Sequence, residues 1–292
     1  FAVEEGDRVP FVLTWFPSHE DLPVPIDPEQ ALAETHEFWT DWSRACSTEL
    51  PDEWRHILQR SLIVLKALTY EPTGGIVAAP TTSLPEWIGG VRNWDYRYCW
   101  LRDATLTLLA LLQADYADEA RAWRAWLLRA VAGDPADIQI MYGVGGERRL
   151  TELELPWLAG YEGSAPARIG NAASEQLQID VFGEVMDALY QARVHGLAFE
   201  KTAWALQMTL LEYLEKIWRE PDEGIWEIRG ERRHFVHSKV MAWVAFDRAV
   251  RTVEGQSLDG PLDRWRELRD EIHRDVCEHG YDAELGSFTQ SY

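Results

Sequence analysis

Apolar positions fall on a helical period over most of this chain. From about residue 29 onward they recur three or four residues apart, and the spacing predicts helices over 29–46, 52–69, 103–115, 117–132, 174–195, 200–218, 238–254 and 261–279. The first opens after Asp27-Pro28, a capping carboxylate followed by proline at the first helical position. In the last, Leu262, Trp265, Leu268, Ile272 and Val276 form one stripe against a strongly charged face. Helix 103–115 differs, being apolar nearly all round through Leu106, Leu108, Leu109, Leu111 and Leu112, whereas 117–132 carries a single stripe. An all-round apolar helix followed by a one-sided one implies an inner and an outer layer.

The connections are of two kinds. Asp115-Tyr-Ala117 and Val194-His-Gly196 are short, while 70–102, 133–173 and 219–237 are long and rich in Gly, Trp and charge. Short turns at one end of the hairpins and long loops at the other describe stacked helical pairs whose loops crowd one face, where functional residues gather. The expected fold is therefore all-α, a double-layered helical toroid, with an irregular helical bundle as the plainer alternative. Before it, Pro10 to Phe16 reads as a strand and 17–28 as a Pro-rich connector kept out of helix by prolines 17, 23, 25 and 28. A lone strand cannot stand by itself. Residues 1–16 are thus expected to be the tail of an upstream β domain, 17–28 a linker, and 29–292 the helical domain.

At 292 residues the chain can bury one large core. A net charge of −21 disfavours nucleic acid and anionic membrane surfaces and leaves a neutral ligand as the natural partner. Cys46, Cys99 and Cys277 sit at no metal-ligand spacing, and so sparse and odd a set points to a reducing, cytoplasmic setting. No window approaches a membrane span and no secretory signal is visible. Oligomeric state is not legible.

Four stretches carry candidate chemistry. Gly89 to Asp103 sets four aromatics, three arginines and two aspartates at the mouth of an apolar helix. Flat rings that pack on C–H faces, beside forked donors and carboxylates, suit hydroxyl-covered sugars. Within it Arg102 and Asp103 point in different directions and could bracket a sugar ring. Asp103 also stands where a helix N-cap would be, and Arg92, Asp95 and Arg97 read as partners that stabilise the loop. In Glu223 to Arg229, Glu227 follows Trp226 directly; a carboxyl held against an indole in a partly dry pocket gains proton affinity, as a general acid requires. The plainer reading of that Glu is a solvated turn residue. Gln176, Gln178, Asp180 and Glu184 stand at the entry of another helix, and either face the pocket or form its solvated polar face. His237-Ser-Lys239 opens the next one. No metal or organic cofactor is called for, and no Walker, Rossmann or Gly-x-Ser-x-Gly motif is present.

Taken together, Asn93-Trp-Asp-Tyr-Arg-Tyr-Cys-Trp-Leu-Arg-Asp103, Gly170-Asn-Ala-Ala with Gln178-x-Asp180-x-x-Gly-Glu184, and Gly224-Ile-Trp-Glu227 followed by His237-Ser-Lys239 resemble glycoside hydrolase family 15. These are the glucoamylase-like enzymes, and the likeness is greatest to their bacterial branch of glucoamylases, glucodextranases and trehalases. The resemblance covers nearly the whole chain. It implies an (α/α)6 barrel, often preceded by a β-sandwich, and hydrolysis of an α-glucosidic bond with inversion. It implies that Trp100, Arg102 and Asp103 hold the terminal glucose, that Glu227 is the general acid, and that Trp226 lines the pocket beside it. Gln178, Asp180 and Lys239 are expected to contribute to the same pocket. Inversion also needs a second carboxylate. In the family that base is a Glu late in the barrel, so this chain, with about eight helices of twelve, is expected to be a fragment lacking it, incomplete at the C-terminus and inactive alone. The leading expectation is an exo-acting glucoamylase-like hydrolase of neutral gluco-oligosaccharides that releases β-glucose. The alternatives are a trehalase of the same family and a sugar-binding, non-catalytic paralogue.

Overall fold

The computed structural model describes residues 2–46, 51–256 and 258–292. The chain divides into two compact units, residues 1–63 and 64–292. In the first lies helix α1 (Pro28–Arg44), capped by Asp27, whose Oδ1 accepts from the N–H groups of Glu29 and Gln30 at 3.0 and 3.2 Å. α2 (Asp52–Ala67) follows. The strand expected over Pro10–Phe16 is not formed: the segment belongs to no strand or sheet ladder among the described residues. Phe1, at the head of that segment, lies outside the described residues.

Among the described residues the second unit is built on six α-helices: α3 (Leu101–Gln113), α4 (Ala117–Ala130), α5 (Asp180–Val194), α6 (Lys201–Ile217), α7 (Val236–Gln256) and α8 (Leu262–His279). They form three antiparallel hairpins, α3–α4, α5–α6 and α7–α8, while alternate helices α3, α5 and α7 pack on one another in an inner row. Burial follows that division. α5 is covered on nearly every side, from Val181 and Phe182 to Leu189 and Ala192, whereas α8 buries only Trp265, Leu268, Ile272 and Val276. This is the inner and outer layering of an (α/α)6-type fold. α5 and α7 approach closely because Gly183 faces the Met241 backbone carbonyl with no room for a Cβ.

The expected helices are all present among the described residues, with one displaced boundary. α5 begins at Asp180 rather than 174: Ala172–Glu175 is a separate 3₁₀ turn capped by Asn171, and the chain then runs extended at Gln176. The long loops are less irregular than expected. They fold into short antiparallel pairs, β1 (Thr69–Tyr70) with β2 (Gly75–Ile76), β3 (Thr82–Pro85) with β4 (Asn93–Asp95), β5 (Cys99–Trp100) with β6 (Met141–Tyr142), and β7 (Leu153–Leu155) with β8 (Ala167–Ile169). A fifth pair, β9 (Tyr281–Asp282) and β10 (Ser287–Phe288), follows α8. The β3–β4 and β7–β8 hairpins lock together at Arg168, whose carbonyl accepts from the hydroxyls of Thr82 and Ser83, both at 2.7 Å.

No helix among the described residues is long and apolar enough to cross a membrane. No group of three His, Cys, Asp or Glu among them could hold a metal ion.

Candidate active site

The inner helices α3, α5 and α7 all begin at the end of the unit where the long loops gather, so their positive N-terminal ends meet there. β5 runs straight into α3, and the Leu101 N–H bonds the Ile140 carbonyl at 2.9 Å beside the β5–β6 pair. That junction fixes Trp100 just before α3 and Arg102 and Asp103 on its first turn. Trp100, not Asp103, occupies the N-cap position, and it makes no side-chain cap bond. Asp103 stands on the third helical residue and is free to face the cavity.

Glu227 comes from the loop between α6 and α7. Its N–H bonds the Gly224 carbonyl at 3.1 Å in a tight turn, and its own backbone sits at φ +53°, a left-handed conformation that costs a residue with a side chain about 1 kcal/mol or more. Three contacts hold that turn in place. The Gln176 amide donates to the Ile228 carbonyl at 3.1 Å, the Glu223 N–H to the Leu177 carbonyl at 3.0 Å, and the Ile179 N–H to Asp222 Oδ2 at 2.9 Å. Arg229, two residues on, stacks on the Trp94 ring at 4.8 Å, as does Arg168, and donates to Glu152 at 2.8 Å. The acid-bearing loop is therefore tied both to the entry of α5 and to the hairpins.

These elements enclose a cavity of about 830 Å³ whose walls include Trp100, Arg102, Asp103, Trp226 and Glu227. The cavity is of the size that takes small ligands. Trp100 Nε1 donates to Glu227 Oε1 at 2.6 Å, and Arg102 Nη2 donates to the same oxygen at 3.2 Å. Burial pushes the Glu227 carboxyl above its ordinary proton affinity, and the Trp100 and Arg102 donors offset only part of that rise. Burial likewise raises Asp103 against the opposing charge of Arg102. Neighbouring Glu184, on the second turn of α5, is pushed up to about 8 by burial and by the charge of Asp180.

The residues expected from the sequence fall into three groups. Trp100, Arg102, Asp103, Glu227 and Trp226 come together at the cavity, although Trp226 is 70% exposed and stands on its rim. The indole that touches the acid is Trp100, 127 residues away in sequence, rather than its chain neighbour Trp226. Gln178 and Asp180 lie behind the cavity wall and reach it through Arg102, whose Nη1 donates to both at 3.2 and 3.0 Å. Lys239 is placed elsewhere. It is 1% exposed, and its ammonium donates to the carbonyls of Trp218 and Glu220 at 2.6 and 2.5 Å. It satisfies the C-terminal end of α6 and opens on a separate small cavity beside Tyr292, so the expectation that it touches substrate is corrected.

Other residues, with no individual role expected from the sequence, share the cavity wall. Trp94, Tyr96, Glu86 and Arg229 also line it. Their signal was present: in Asn93-Trp-Asp-Tyr96 the period of two buries Asn93 and Asp95 and turns Trp94 and Tyr96 the other way. Asp95, fully buried, accepts from the Arg97 backbone, from two nitrogens of its guanidinium and from the Gly170 N–H, so it braces the loop as expected. Burial opposes its charge, but these donors hold its carboxyl below the usual range. Arg92 pairs with Glu86 at 2.8 Å and lines the cavity as well.

A family profile described as Glycosyl hydrolases family 15 matches residues 53–292. The chain belongs to that family. It is 42% identical over 294 residues to a trehalase of Mycobacterium tuberculosis, a match covering 99% of this chain and 43% of that protein. It is 38% identical to a trehalase of Thermoplasma volcanium across 89% of this chain and 41% of that protein. The chain thus spans about two-fifths of the length of these family 15 relatives. Among solved structures, a wild-type glycosidase aligns over 83% of this chain and 62% of its own with a TM-score of 0.63 at 14% identity, a likeness of fold.

Proposed function

We propose that this chain supplies the acid side of an inverting α-glucosidase site, and that the protein acts on trehalose. The observation that carries the proposal is the meeting of Glu227 Oε1 with Trp100 Nε1 and Arg102 Nη2 at the wall of the cavity, with Asp103 beside them. A glucose unit stacks on the aromatic wall and bonds through its hydroxyls to Arg102 and Asp103. Glu227 gives its proton to the bridging oxygen as the C–O bond breaks, and water adds to the anomeric carbon from the opposite face. From trehalose this yields one β- and one α-glucose. The water needs a second carboxylate about 6.5–9.5 Å from the acid, a role assigned to none of the residues discussed above.

The order of substrates reverses that expected from the sequence, where glucoamylase-like oligosaccharide hydrolysis led. Support for the reversal comes from relatives at 38% and 42% identity that are named trehalases and that align over nearly all of this chain. The test is glucose release by the intact protein from trehalose, maltose and isomaltose, with the anomer followed by NMR. Trehalose is expected to be cleaved fastest. Preference for maltose would restore the glucoamylase-like reading, and sugar binding without turnover would favour a non-catalytic protein.

A further inference from the structure

Arg102 does not serve Glu227 alone. Its Nη1 is held by Gln178 at 3.2 Å and Asp180 at 3.0 Å, while its Nη2 reaches Glu227 at 3.2 Å. Asp180 is fully buried at the start of α5, and its second oxygen, Oδ1, has no hydrogen-bond partner among the described residues. The other basic group within 4 Å of Asp180 among the described residues is His237 at the start of α7, with Nδ1 3.9 Å from Oδ2; burial lowers its proton affinity, so it is a weak competitor for the carboxylate. Asp180 therefore spends its charge on Arg102. A carboxylate so placed is costly unless it is paired.

We propose that Asp180, with Gln178, is a positioning residue for the general acid: it holds Arg102 in line with Glu227 and sets how much of the guanidinium charge Glu227 experiences. The proposal rests on the assignment of Glu227 as the acid. Glu227 and Asp180 are faced by Arg102 and Asp103 from α3, Glu184 from α5, His237 from α7, Asp222 from the loop before α7, and Tyr96 from the hairpin side. In this set Arg102 is the one cation in contact with Glu227, so its partner governs the balance.

The sign of the outcome separates this role from a merely structural one. Asp180→Asn keeps the shape but removes a negative charge, so Arg102 acts on Glu227 less compensated and Glu227 loses its proton more readily. The falling limb of the kcat/KM profile should move to lower pH, with about a tenfold drop at a pH on the original limb relative to the plateau. If Asp180 only propped up Arg102, the loosened guanidinium would withdraw from Glu227 and the limb would move to higher pH. Gln178→Glu adds a negative charge at the same nitrogen and should move the limb to higher pH; it carries the test if Asp180→Asn fails to fold. A limb that stays still in either folded variant, or moves against these signs, overturns the proposal. Should Glu227→Gln leave the intact protein fully active, it is the assignment of the acid that fails instead.

Discussion

At Glu227 burial favours the neutral carboxyl, while the Trp100 N–H and the Arg102 guanidinium favour the charged one. An acid catalyst must hold its proton, so activity falls as pH rises through the point where Glu227 loses it. Trp100 donates to the charged form at 2.6 Å, and removing that donor moves the point upward. Trp100→Phe should therefore lower plateau activity, since the indole also lines the cavity, yet shift the alkaline limb to higher pH. A hydrogen bond to a charged group is worth about 1.5 kcal/mol or more, so the variant-to-wild-type ratio of kcat/KM should rise roughly tenfold from plateau to limb. A pH profile of both proteins checks this; a parallel profile would mean the bond does not bear on the proton. The candidate residues themselves were legible because they sit in long, ordered motifs. Their partners were not. Trp226 adjoins Glu227 in sequence and suggested itself as the neighbouring indole, but a tight turn at φ +53° aims the carboxyl at Trp100 instead. Lys239 departs from the expectation for a similar reason: positions two apart on a helix face different ways, and His237 faces Asp180 while Lys239 faces the carbonyls ending α6.

Element by element, the helices could be read from their period, since one buried stripe such as Leu268, Ile272 and Val276 needs no partner to be recognised. The hairpins could not, because strands of two to four residues are too short to show a period of two and are defined by long-range pairing. The displaced start of α5 has a specific cause. Asn171 accepts from the Ala173 N–H and starts its own short turn, and the Ile179 N–H is taken by Asp222, forty-three residues on. The packing of α5 on α7 depends on Gly183, where a Cβ would run into the Met241 carbonyl. Gly183→Ala should destabilise this unit by about 1–3 kcal/mol through overpacking, lowering Tm by roughly 2–10 °C for a domain of this size. A thermal melt reads it directly, and an unchanged Tm would show that the two helices separate without cost.

On the scale of the whole molecule, function follows from how the layers are ordered. Three inner helices that begin at one end bring together Arg102, Asp180 and His237 from α3, α5 and α7, and the loops at that end bring Glu227 over them. Dipoles pointing into the site help an acidic chain of net charge −21 to collect carboxylates around one guanidinium. Layering was visible in the sequence as the contrast between the helix after Asp103 and the one after Asp115; the ring of contacts at the N-terminal ends was not, because Arg102 meets Asp180 across 78 positions and Glu227 across 125. The most direct measurement compares two substrates in the intact protein carrying Glu227→Gln. Hydrolysis of trehalose needs a proton on its leaving oxygen and should fall by roughly 10²- to 10⁴-fold, while α-glucosyl fluoride, whose leaving group needs none, should be turned over within about tenfold of wild type. Equal losses on both substrates, or trehalose cleavage left intact, would contradict Glu227 as the acid.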